Sequence, residues 1–379
     1  MSKIKIVFLV NRLNVGGMES ALFNLINLMD KEKFDISVFT IHPYGGWEQK
    51  FKNAGINVID QYSGLKKRKS IFGKAYNFVA IKYIENARAK NPHKILGLVK
   101  KNGFDLIVSY QVFSPDENIG FPDFGKTIKY VHGNVYSNES YGELQKKLLN
   151  VNDKYDRIIC VSKDSQKAFS RMTGRYDGIT TVFNPIDAQE IIRLSKEEID
   201  FKFPYICAVG RFTAEKGFVR LIKVFTRLLE AGCSLKLVIV GEGKEKEEMI
   251  EIIREKHNEE NIFLVGHKEN PYPYIKNSIF TVLPSFTEGL PVVAMESICL
   301  GVPIVSSYPS AGEIFGNEQC GVITDIDDNS LYQGMQKMIN DKEFYQKTKL
   351  GAERQSVYFL QNKMVREAEK EFVEVLSED

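Results

Sequence analysis

The chain has 379 residues, 43% of them apolar and 26% charged, with a formal net charge of +2. That length is too great for one ordinary domain and sets an expectation of two, of about 150–200 residues each. The near-neutral balance excludes electrostatic binding of nucleic acid by the molecule as a whole, and no run approaches the roughly 18 consecutive apolar residues that would span a bilayer.

The five cysteines (Cys160, Cys207, Cys233, Cys299 and Cys320) are odd in number and form no CxxC pair. They read as small core residues of a protein of the reducing cytosol, not as a disulfide framework. The chain opens directly on a strand-like run, so no secretory leader is expected.

Strands are expected at Ile4–Val10, Phe34–Thr40, Leu106–Ser109, Thr127–Val131, Arg157–Val161 and Ile179–Phe183. A second series follows at Tyr205–Val209, Leu235–Val240, Ile262–Val265, Phe280–Leu283 and Pro303–Ser306. Most are near-continuous apolar runs, the pattern of strands buried on both faces of a parallel sheet. Amphipathic helical patterns alternate with them, so the fold class is α/β. The alternation pauses once, at Asn184-Pro185-Ile186-Asp187 and a polar stretch after it. Two Rossmann-like domains are therefore expected, 1–187 and 200–355, facing across a cleft. Ligands of such sheets bind outside the carboxyl ends of the strands. Residues from about 344 to 376 read as one charged amphipathic helical pattern, and 356–379 as a C-terminal helix returning to the first domain.

Three loops carry candidate chemistry. Gly16 and Gly17 follow the first strand and open a helix, where free backbone N–H groups and the helix dipole favour an anion. Arg211 and Lys216 flank the loop after Tyr205–Val209; a bidentate fork and a point charge suit a diphosphate. Glu288 precedes a helix, Gly289 and Leu290 offer amides beside it, and Glu296 lies in a mostly apolar segment about two turns in. A carboxylate there needs donors, because burying it unpaired is costly; sugar hydroxyls or a salt bridge would supply them. The only Asp-x-Asp run, Asp325-Ile326-Asp327, reads as a polar turn, and no His or Cys cluster suits a metal.

Glu288, seven intervening residues and Glu296 resemble the E-x7-E motif of retaining glycosyltransferases of family 4, which have the GT-B fold. The resemblance extends over nearly the whole chain. Gly16-Gly17 is similar to that family's glycine loop, His132-Gly133 to its active-site histidine, and Gly210-Arg211 through Lys216-Gly217 to its phosphate loop. Val240-Gly241-Glu242-Gly243 and Val265-Gly266-His267 match in order. The resemblance implies that Arg211 and Lys216 hold the donor diphosphate. It gives Glu288, Gly289 and Leu290 the sugar and nearby phosphate, Glu296 the ribose, and Val265, Gly266 and His267 the base edge. It assigns His132 to the sugar at the reaction centre and Gly16 and Gly17 to the phosphate from the first domain. It further implies a nucleotide-sugar donor, UDP favoured, a glycan or lipid-linked acceptor, and no metal or other cofactor. A nucleotide-sugar epimerase of the same fold and a non-catalytic transferase-like subunit are the alternatives; the presence of Arg211, Lys216, Glu288 and Glu296 favours the transferase.

Residues 66–101 hold eleven Lys or Arg and one acid, Glu85, interleaved with aromatics such as Phe72, Tyr76 and Phe78. That composition suits an anionic membrane surface. A cytoplasmic protein, peripheral at the inner face of the cell membrane, is the corresponding expectation; a solvated helical face is the simpler one.

Overall fold

The computed structural model describes residues 2–14, 16–42, 45–60, 70, 72, 76–80, 82–83, 103–111, 125–133 and 155–378. Most of the basic stretch 66–101 lies outside them. The chain forms two compact units. One comprises Met1–Val161, Ser165–Pro185 and Met364–Asp379; the other comprises Ser162–Asp164 and Ile186–Lys363.

The first unit is built on strands β1 (Ile4–Val10), β2 (Phe34–Thr40), β3 (Asn57–Asp60), β4 (Leu106–Ser109), β5 (Lys126–Val131), β6 (Arg157–Cys160) and β7 (Ile179–Thr181). They form one parallel sheet in the order β3-β2-β1-β4-β5-β6-β7. Val7 and Phe8 are wholly buried, as a central strand covered on both faces requires. Helix α1 (Gly17–Leu28) turns Ala21, Leu22, Leu25 and Ile26 inward, the 3–4 spacing of one helical face. The unit also contains α2 (Glu48–Asn53) and most of α3 (Lys163–Thr173). Its last element is the helix Lys363–Ser377, whose Phe372 meets Phe8 edge-on at 6.0 Å.

In the second unit, strands β8 (Tyr205–Val209), β9 (Lys236–Val240), β10 (Ile262–Leu264), β11 (Thr281–Leu283), β12 (Ile304–Ser306) and β13 (Gly321–Ile323) make another parallel sheet. Their order is β10-β9-β8-β11-β12-β13. The helices are α4 (Ala188–Leu194), α5 (Phe218–Glu230), α6 (Lys246–Glu255), α7 (Tyr272–Lys276), α8 (Val292–Cys299), α9 (Ser310–Glu313), α10 (Asp328–Asn340) and α11 (Lys342–Leu360); the helix 363–377 is α12. The α5 face Phe218, Leu221, Ile222 and Phe225 joins Ile206, Leu237 and Ile239 of the sheet in one core. In both sheets the strand order reverses beside the first strand, at β1/β4 and β8/β11, and the connections part there to leave a crevice at the carboxyl ends.

Several expectations need correction. The short edge strands β3 and β13 add to the expected series. The expected single C-terminal helical pattern is two helices, because Asn362 adopts φ 49° after Gln361 closes α11. Asp187 begins α4 by accepting the Glu190 amide, so part of the expected connection is helical. Helix α8 starts only at Val292, with Pro291 at its cap. Gly289 and Leu290 therefore precede the helix, and Glu296, its fifth residue, lies in the second turn. All five cysteines are free thiols.

Candidate active site

In the second unit the crevice between β8 and β11 is formed by two loops that the backbone ties together. The first, 210–217, leaves β8: Gly210 N donates to Val240 O and Phe212 N to Glu242 O, at 3.0 and 2.9 Å. The second, 284–291, leaves β11, and its Phe286 N donates to Glu215 O at 2.9 Å. Gly217 is required at the junction. Its φ is +68°, and a Cβ there would lie 2.3 Å from the Pro284 carbonyl oxygen. Arg220 of α5 supports the second loop from beneath. It donates to Pro284 O, Ser307 Oγ and Asp327 O, and pairs with Asp328 at 3.1 Å.

These constraints bring Lys216 and Glu288 together from 72 residues apart, Nζ to Oε1 at 2.6 Å. Ser285 Oγ donates to the same Oε1 at 2.7 Å. The pair is only partly open, its side chains 23% and 12% exposed. Arg211 shares the loop but not this cluster; its guanidinium is 72% exposed and lies 3.7 Å from Glu215. A charge so placed is screened and contributes little to stability, and it is available to an incoming anion.

Glu296 stands on α8 among the buried residues Ala294, Met295, Ile298 and Cys299. Its Oε1 accepts the Tyr272 hydroxyl at 3.2 Å. Burial pushes its carboxyl pKa up to about 7, and the Tyr272 bond opposes the rise. Val265 N donates to Ile239 O, and Gly266 accepts the Gly241 amide, each at 3.0 Å. His267 is exposed beside them. This edge ends the β9 and β10 strands, next to the loop of Arg211. Asp327 caps α10 by accepting the amides of Asn329 and Ser330 at 2.9 Å, so the Asp-x-Asp run ends on a helix cap. Among the described residues no group of three or more His, Cys, Asp or Glu could hold a metal ion.

The first unit presents its own polar group at the carboxyl ends of β1, β4 and β5. Gly16 is the extended cap of α1, with φ −174°, and a Cβ there would meet Glu19 Oε2 at 2.8 Å. Gln111, just past β4, donates to Glu19 Oε1 at 3.4 Å and accepts the Asn11 amide at 2.5 Å. It thereby fastens the glycine loop to the neighbouring strand. His132 follows β5, its ring 4.3 Å from that of Tyr110. Burial pushes its pKa down to about 3, opposed in part by the Tyr110 backbone, so the imidazole is neutral at physiological pH. Sequence reasoning missed Gln111, Tyr272 and the supporting Arg220: each sits in an ordinary strand-end or helix pattern with nothing local to mark it. A cavity of about 760 Å³ also opens in the second unit, lined by Lys196, Phe201, Lys276, Cys299 and Glu353 among others, and none of the candidate residues lines it.

Residues 191–355 match the family model described as "Glycosyl transferases group 1". A Campylobacter jejuni protein named N-acetylgalactosamine-N,N'-diacetylbacillosaminyl-diphospho-undecaprenol 4-alpha-N-acetylgalactosaminyltransferase is 33% identical over 192 residues, 50% of this chain and 52% of its own length. The match thus spans about half of that relative. The Staphylococcus aureus capsular polysaccharide biosynthesis glycosyltransferase CapH is 24% identical over 320 residues, 80% of this chain and 81% of its own. The crystal structure of Anabaena HepE in complex with UDP superposes with a TM-score of 0.72 at 18% identity, covering 99% of this chain and 100% of that one. At that identity the likeness shows the fold alone. Residues 191–355 thus resemble glycosyl transferases of group 1, and the chain as a whole has a two-unit α/β fold of the GT-B class.

Proposed function

We propose that the chain is a retaining glycosyltransferase of family 4 type, moving a hexose or N-acetylhexosamine from a UDP-sugar to a glycan or lipid-linked acceptor in the synthesis of a cell-surface polysaccharide. The observation that carries this is the Lys216–Glu288–Ser285 cluster at the β8/β11 reversal, with the exposed guanidinium of Arg211 on the same loop. The sugar C1–O bond to the diphosphate breaks and a C1–O bond to the acceptor forms. The acceptor proton passes to an oxygen of the departing diphosphate. Charge builds on that diphosphate, and preorganised cations and amides stabilise it. Lys216, Arg211 and the amides of Gly289 and Leu290 take this role, with Gly16 and Gly17 contributing from the first unit. Glu288 holds the sugar, His132 contacts it as a neutral donor or acceptor, Glu296 holds the ribose, and Val265 to His267 border the base. The reaction on this reading needs no metal: cationic side chains do what a divalent ion would.

The acceptor class is supported by the C. jejuni relative, whose name specifies a diphospho-undecaprenol substrate. It is supported also by the composition of 66–101. Among its described residues Phe72, Tyr76, Phe78, Val79 and Tyr83 are all more than half exposed. Among the described residues no helix is long and apolar enough to cross a membrane. Contact with the inner face of the cell membrane therefore belongs to the proposal as a peripheral one.

A panel of nucleotide sugars tests the reading, scored by thermal stabilisation and by release of nucleoside diphosphate with and without chelator. A UDP-sugar should raise the melting temperature and be turned over with chelator present. Stabilisation by none of the panel, or activity that vanishes with chelator and returns with metal, would count against it. Equal binding to neutral and anionic vesicles, or to neither, would remove the membrane component.

A further inference from the structure

Glu296 is only partly exposed on α8, between the buried Met295 and Ser297. An ionised carboxylate offers about four acceptor positions, yet among the described residues it receives one hydrogen bond, from the Tyr272 hydroxyl to Oε1. No described cation lies within ion-pair distance of it. A neutral apolar side chain would serve packing better, because a carboxylate in apolar surroundings is costly without donors. Its remaining acceptor positions are open to donors from outside the described residues, and ribose hydroxyls are donors of that kind.

Tyr272 is itself held firmly. It opens α7, and its amide donates to Asn270 Oδ1 at 3.2 Å. Asn270 Nδ2 in turn donates to Leu194 O, at the end of α4, at 3.0 Å. Burial and the neighbouring Glu296 push the phenol pKa above its ordinary value, so Tyr272 remains a donor throughout the physiological range. A fixed donor on one oxygen sets the rotation of the carboxylate plane and so the direction of the other oxygen.

We propose that Tyr272 is a positioning residue for Glu296, turning the carboxylate so that the two residues together select ribo- over 2′-deoxyribonucleoside diphosphates. This rests on Glu296 holding the ribose, as proposed above.

The test is calorimetric binding of UDP and 2′-deoxy-UDP to the native chain, Tyr272→Phe and Glu296→Ala. The native chain should prefer UDP by roughly tenfold or more, the worth of a hydrogen bond to a charged group. Tyr272→Phe keeps the ring and its packing. It should weaken UDP by about fivefold, leave 2′-deoxy-UDP nearly unchanged, and raise KM for the donor sugar with little change in kcat. Glu296→Ala should abolish the preference. Melting curves of both variants establish that they are folded. A preference unchanged in Tyr272→Phe but lost in Glu296→Ala would overturn the role of Tyr272 while leaving the ribose assignment standing. So would equal weakening of both nucleotides in Tyr272→Phe. A preference unchanged in Glu296→Ala, or no binding of UDP by the native chain, would overturn both.

Discussion

Replacing Lys216 by methionine removes one charge and keeps most of the stem. Two consequences can be sized from the structure. The first is stability. Glu288 loses a partner at 2.6 Å but keeps the Ser285 hydroxyl at 2.7 Å. Breaking a fully buried pair costs about 3–5 kcal/mol. Here both side chains retain some exposure, so screening reduces the loss to about 1–2 kcal/mol. The second is turnover. Removing one preorganised donor to developing negative charge lowers kcat by roughly 10²–10³-fold, about 3–4 kcal/mol. The expected outcome is a folded variant with a modestly lower melting temperature and a far lower rate of UDP-sugar consumption. Lys216→Arg restores the charge with a different shape and should recover only part of the rate. A kcat for Lys216→Met within about fivefold of native, in protein shown folded by its melting curve, would refute the role given to this lysine.

Glu296 should give opposite pH trends in two measurements. Its folded pKa is raised from 4.5 to about 7, so the folded chain takes up a proton that the unfolded chain does not in that window. Stability of the ligand-free protein should therefore rise as pH falls from about 7 towards 4.5, while UDP affinity falls as the acceptor is lost; parallel trends would rule this out, and Glu296→Gln should flatten both. Arg220→Met strips three hydrogen bonds and an ion pair from a nearly buried site and should cost about 2–4 kcal/mol by chemical denaturation. A loss within experimental error would show that the loop beneath Glu288 does not depend on it. Phe372→Ala should cost about 3–5 kcal/mol, because the ring is fully buried against Phe8; a small loss would mean that α12 contributes little to the first unit.

The long central strands were legible because burial on both faces leaves a continuous apolar run, as in Ile6–Val10 and Leu237–Val240. The edge strands Asn57–Asp60 and Gly321–Ile323 are too short to show any period. The break at Asn362 carries neither glycine nor proline, so the pattern reads through it. At the site, the spacing from Glu288 to Glu296 and the loop of Arg211 and Lys216 stand out in sequence because glycines and charges punctuate strand ends. Their partners do not. The pairing of Lys216 with Glu288 depends on β8 lying beside β11, in the register Cys207 to Thr281. The bond from Tyr272 to Glu296 spans 24 residues between two helices, and no local pattern encodes a distance of that kind.

The return of α12 to the first unit also sets an order of events during synthesis. Domains ordinarily complete themselves from the N-terminus as the chain emerges. Here Phe372 and its neighbours, which cover Phe8 on the opening strand, leave the ribosome only after all of the second unit has been made. The unit made later has its whole core in hand first. The unit begun first must wait with an apolar face of β1 uncovered, and that waiting interval is when the nascent chain is most exposed to wrong partners.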